Sequence, residues 1–93
     1  MTKVLLVDDE VDFLKIMKLR LESWGYTCVD VSSSMQALEI VRTDHPDIIV
    51  LDYMMPDMDG VELLQQIRIL LPLIPVIMLT AYPHQEAMKE ANT

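Results

Sequence analysis

A chain of 93 residues, 52% of them apolar, suits one small domain and is too apolar to stay disordered. Fifteen acidic residues against seven basic ones leave a net charge of -8, which argues against a nucleic-acid face, because phosphate contacts need clustered Lys and Arg. The lone cysteine, Cys28, excludes an internal disulfide, and no apolar run nears the ~18 residues of a membrane span, so a cytoplasmic domain is expected.

Residues 3–7 predict a strand that runs into Asp8-Asp9-Glu10. Residues 10–24 predict a helix with Leu14, Met17, Leu21 and Trp24 on its inner stripe, and Gly25 is suited to end it in the left-handed conformation. A second strand is expected over 26–31, with Cys28 as a small core residue. Ser33 and Gln36 have capping-box spacing and open a helix to about Asp44, with Ala37, Leu38 and Val41 inward and His45-Pro46 as its break. Residues 47–51 form a third strand, apolar at four consecutive positions and so covered on both faces. Asp59 and Glu62 again have capping-box spacing and start a helix to Leu70, with Val61, Leu64, Ile67 and Leu71 as its stripe. Residues 76–79 predict a fourth strand ending at Thr80, and 83–92 a weaker fourth helix with Ala87, Met88 and Ala91 inward.

This βαβαβαβα alternation predicts a single α/β domain over 1–93, a doubly wound parallel sheet. The ligand site of such a sheet lies at the carboxyl ends of the strands, where strand order reverses. In the order 2-1-3-4, strands one and three are neighbours, and Asp8, Asp9 and Asp52 converge with Thr80 beside them. Three carboxylates held together repel, and a divalent cation relieves the conflict. An all-oxygen set with few protein ligands suits Mg²⁺. Asp52, alone at its strand end, is the best candidate for a nucleophile toward phosphorus, and Asp8 and Asp9 for cation holders. The Thr80 hydroxyl suits a hydrogen bond to a phosphoryl oxygen.

The segments Val4-Leu5-Leu6-Val7-Asp8-Asp9-Glu10, Ile49-Val50-Leu51-Asp52-Tyr53-Met54-Met55-Pro56-Asp57-Met58-Asp59-Gly60 and Pro75-Val76-Ile77-Met78-Leu79-Thr80-Ala81 resemble the receiver domain of two-component response regulators, in order and in spacing. The resemblance implies the flavodoxin-like receiver fold and a phosphoryl group accepted on Asp52 from a sensor histidine kinase. It implies Mg²⁺ held by Asp9, Asp52, the Met54 backbone carbonyl and, through water, Asp8. It also implies that Thr80 senses the acyl phosphate, that an effector domain or protein reads the switched surface, and that the domain is a phosphoryl acceptor rather than an enzyme.

Receivers of this kind carry a fifth strand ending in a Lys, and a fifth helix. Neither has a counterpart here, so the chain reads as an engineered truncation with impaired phosphorylation and an exposed fourth-strand edge that favours a homodimer or higher oligomer. A Mg²⁺-dependent phosphohydrolase of the haloacid-dehalogenase type needs a second Asp two residues after the nucleophile, where Met54 stands. A non-phosphorylated interaction or assembly fragment is the alternative function. Several residues have plainer readings. Asp57 and Asp59 suit turn and cap roles, Met17, Met35, Met78 and Met88 suit core filling, and Met54 and Met55 are expected near the pocket in exposed positions. Trp24 is expected to be partly buried, and His45 and His84 to be solvated.

Overall fold

The computed structural model describes residues 2–52, 55 and 58–79. Along the chain run β1 (Lys3–Val7), α1 (Val11–Ser23), β2 (Thr27–Val31), α2 (Ser34–Asp44), β3 (Ile48–Asp52), α3 (Gly60–Leu70) and β4 (Val76–Leu79). The strands form one parallel sheet in the order β2-β1-β3-β4. The doubly wound α/β fold expected from the alternation is the one observed. The expected fourth helix over 83–92 lies outside the described residues.

Alternation along β1 divides the core. Leu5 and Val7 face one way and join Val31, Ile49, Leu51, Ala37, Leu38, Val41, Leu63 and Ile67 in the larger cluster under α2 and α3. Val4 and Leu6 face the other way and pack with Leu14 of α1, Cys28 and Val50. Leu5, Ile49 and Leu51 are fully buried, as strands covered on both faces require.

Local chemistry sets the element ends. The amides of Gly25 and Tyr26 donate to the carbonyls of Glu22 and Leu21, closing α1 in a Schellman motif, and Gly25 takes φ 95°. Tyr26 is thereby used as a helix stop, so the second strand starts at Thr27 rather than at 26. Ser33 caps α2 by accepting from the Gln36 amide at 3.2 Å, and the Ser32 amide, rather than that of Ser33, donates to Gln36 Oε1. His45 is exposed and ends α2 in the left-handed region at φ 46°. Asp47 stays outside β3: its amide donates to the Lys3 carbonyl, and its carboxylate accepts from the Lys3 amide at 2.7 Å. The Arg68 guanidinium donates to the carbonyls of Pro72 and Ile74, holding the turn that leads into β4.

Three packing expectations are corrected. Trp24 is 65% exposed, because α1 ends at Ser23 and Trp24, its C-cap, no longer follows the helical stripe. Met35 is 68% exposed, since the inward face of α2 is taken by Ser34, Ala37, Leu38 and Val41. In α3 the fully buried leucine is Leu63, while Val61 is at the surface. Gly60 and Ile67 share the buried face with Leu63, and the half-buried Leu64 and Leu71 border it. Met17 and Met78 are half-buried against the core, as expected of gap-filling methionines.

Candidate functional site

The strand register brings the acids together. Val7 pairs with Leu51 across β1 and β3, so Asp8 and Asp52, each one residue further on, stand side by side at the carboxyl edge of the sheet. Asp52 belongs to β3 itself and pairs with Leu79 of β4. Asp9 follows at the β1–α1 turn. One carboxylate oxygen from each of Asp8, Asp9 and Asp52 lies within 4.8 Å of the other two. The cluster stands at the carboxyl edge of the sheet where β1 is flanked by β2 and β3, the switch point of this strand order.

Asp8 and Asp52 are each 8% exposed, and Asp9 is open to solvent. Backbone bonds hold Asp8 from two sides: its amide donates to the Val31 carbonyl, and its Oδ1 accepts from the Glu10 amide at 2.9 Å. Burial pushes the Asp8 carboxyl above its ordinary value of 3.8. The Glu10 amide opposes that rise, the charge of Asp9 adds to it, and hydrogen bonding with Asp52 works against it. A set of crowded carboxylates, one of them raised by desolvation, is a donor set that a hard divalent cation fits.

The expectation that Asp8, Asp9 and Asp52 gather in one pocket agrees with this geometry. Thr80, Met54 and Asp57 lie outside the described residues. Met55 is corrected: it is 8% exposed and part of the core under α2 and α3, so the chain leaving β3 turns this side chain inward. Asp59 caps α3, its Oδ1 accepting from the Glu62 amide at 2.8 Å. Among the described residues, the Glu10 amide is a contributor to the cluster that inspection of side chains passes over. A main-chain donor leaves no mark in residue identity, and only the turn geometry after β1 reveals it.

A parallel sheet in this order, with acids clustered at its carboxyl edge, defines a flavodoxin-like α/β protein of receiver type. The chain belongs to the response regulator receiver domain family, whose profile matches residues 4–93. The transcriptional regulatory protein ZraR of Escherichia coli is 40% identical over 88 residues, which are 95% of this chain and 20% of ZraR. Sporulation initiation phosphotransferase F of Bacillus subtilis is 33% identical over 90 residues, covering 97% of this chain and 73% of that protein. The crystal structure of the response regulator TrrA of Thermotoga maritima in complex with Mg²⁺ and BeF superposes with a TM-score of 0.85 at 32% identity, covering 90% of this chain and 73% of that one. This chain thus spans a fifth of the length of ZraR and about three quarters of the two shorter proteins. Among the described residues no helix is long and apolar enough to cross a membrane.

Proposed function

We propose that the 93 residues act as one cytoplasmic receiver domain in which Asp52 accepts a phosphoryl group from a sensor histidine kinase, with Mg²⁺ held by Asp8, Asp9, Asp52 and the Met54 carbonyl. The observation that carries this reading is the gathering of three carboxylates from two neighbouring strand ends within 4.8 Å. An Asp52 carboxylate oxygen forms the new O–P bond as the P–N bond to the donor imidazole breaks, and the imidazole keeps the electron pair. Such transfers ask mainly for positioning and charge stabilisation, and a bound Mg²⁺ would supply positive charge against the phosphoryl oxygens. Asp8 and Asp9 serve as cation holders, and the Thr80 hydroxyl as hydrogen-bond donor to the phosphoryl group. The output is a changed surface read by an effector domain or protein, without turnover of a substrate.

The test uses the protein with Mg²⁺ and acetyl phosphate, and separately with a phosphorylated histidine kinase, followed by intact-mass measurement. A gain of one phosphoryl group that Asp52→Asn removes is the expected result. A gain that survives Asp52→Asn moves the acceptor elsewhere. No gain from either donor leaves the interaction fragment as the better reading.

A further inference from the structure

The sulfur atoms of the domain differ in what surrounds them. Met55 and Cys28 are sealed in the core, and burial pushes the Cys28 thiol up, away from its reactive thiolate form. Met35 stands in solvent, off the inward face of α2. Met58 is neither sealed nor free. It is half-buried, its side chain packs against the larger core cluster, and its sulfur accepts a hydrogen bond from Gln66 Nε2 of α3 at 3.8 Å. Met17 and Met78 are also half-buried against the core, but among the described residues no hydrogen bond reaches their sulfurs.

Met58 stands at N′ of α3, directly before the Asp59 cap, in the segment that follows Asp52. An apolar residue at N′ packs toward N4, here the fully buried Leu63, and fixes how the chain enters the helix. A thioether sulfur is a weak acceptor. A sulfoxide oxygen on the same sulfur is a strong one, because the S–O bond is highly polar. Gln66 therefore makes a weak bond with Met58 as it stands and a strong one with its oxidised form. Methionine has three rotatable side-chain bonds, enough to bring the new oxygen to the amide. Oxidising a core methionine ordinarily leaves a polar group dry and unpaired, and at this place the Gln66 amide offsets that cost.

We infer that Met58 is an oxidant-modification site: a peroxide converts its thioether to the sulfoxide, and Gln66 receives the new oxygen. The sulfur lone pair attacks one oxygen of hydrogen peroxide, and an S–O bond forms as the O–O bond breaks. The departing hydroxide takes the proton from the transferred oxygen and leaves as water. Sulfur is oxidised by two electrons and the peroxide is reduced by two. The oxidised chain keeps its fold, with the entry to α3 held by an amide–sulfoxide bond. Reduction of the sulfoxide restores the thioether. The inference stands apart from phosphoryl transfer to Asp52, since it needs neither the acidic cluster nor a cation.

Hydrogen peroxide treatment of the whole folded chain, with peptide mapping by mass spectrometry, tests the site. Met35 and Met58 each gain one oxygen, and both do so ahead of the buried Met55. Urea unfolding before and after treatment tests the partner. Met58→Leu is carried through the same treatment, to subtract what the other methionines contribute. With Gln66 in place, oxidation at Met58 changes the folding equilibrium constant by less than about threefold, while in Gln66→Leu the same oxidation lowers it about tenfold, the effect of an acceptor left without its donor. Gln66→Glu, which keeps the shape but offers oxygens in place of the amide hydrogens, gives the same loss and serves where Gln66→Leu disturbs the helix by itself. A Met58 oxidised no sooner than Met55 overturns the inference. So does a wild type that unfolds on oxidation at Met58, or an oxidation penalty that is equal with and without the Gln66 amide.

Discussion

The backbone amide of Glu10 donates to Asp8 Oδ1 at 2.9 Å, so the entry into α1 and the acidic cluster share one hydrogen bond. That bond offsets part of the cost of burying Asp8, yet desolvation prevails and the Asp8 carboxyl stays above its ordinary value of 3.8. An acid whose folded value is raised favours the fold while protonated. Its contribution is fully present below 3.8 and is lost as pH rises through the higher folded value. In chelator, denaturation at a series of pH values should therefore show Asp8 lowering stability as pH climbs out of that window. Asp8→Asn removes the loss and raises the unfolding midpoint at neutral pH. Saturating Mg²⁺ reverses the ranking, since a ligand at a hundredfold excess over its Kd stabilises the folded form by about 2.7 kcal/mol. Equal Mg²⁺ stabilisation of wild type and Asp8→Asn would contradict the proposed cation site.

Leu63 is fully buried in α3 and Val61 is at the surface. Leu63→Ala should cost about 2–5 kcal/mol by lost transfer energy and a residual cavity. Val61→Ala should stay within about 0.5 kcal/mol, as surface changes do. Urea titrations of the two variants check the pair. A larger loss at Val61 would mean that the helix turns its other side to the sheet.

The contrast between these two residues shows where sequence reasoning runs out. The alternation of strands and helices, the parallel order and the acids at the ends of β1 and β3 were legible because each rests on a strong local rule: apolar runs, capping residues, and charge at strand tips. The phase of α3 was not legible. Val61, Leu63, Leu64, Ile67 and Leu71 fit two overlapping stripes, and the choice of the face that buries Gly60, Leu63 and Ile67 is a tertiary matter. Trp24 failed for a related reason. Its spacing continues the α1 stripe, but the helix ends one residue earlier, at Ser23. The acidic cluster was readable through its side chains, whereas the amide of Glu10 that holds Asp8 belongs to the backbone and has no sequence signature.

Gly25 adopts φ 95°, and a Cβ added there meets nothing within 4 Å. The cost of Gly25→Ala is therefore conformational alone, about 1–2 kcal/mol for an L-residue forced into the left-handed region. Gly25→Asn should cost less, because Asn tolerates that region better. Thermal unfolding of both variants checks the order. If Ala and Asn are equally mild, the α1 terminus can close without a left-handed residue.

Asp59 follows the segment that leaves the acidic cluster, and its Oδ1 accepts from the Glu62 amide at 2.8 Å as the N-cap of α3. A cap accepts through an oxygen and does not depend on charge, so Asp59→Asn should keep most of the stability, while Asp59→Ala loses about 1 kcal/mol. Neither variant removes a carboxylate from the Asp8, Asp9 and Asp52 cluster, so Mg²⁺ affinity measured by calorimetry should stay within about twofold of wild type, well short of the tenfold that 1.4 kcal/mol would bring. The two readouts separate the roles a carboxylate in this position can play. Loss of stability in Ala alone, with unchanged cation binding, marks a cap. A fall in Mg²⁺ affinity in both Ala and Asn would make Asp59 a member of the cation site instead.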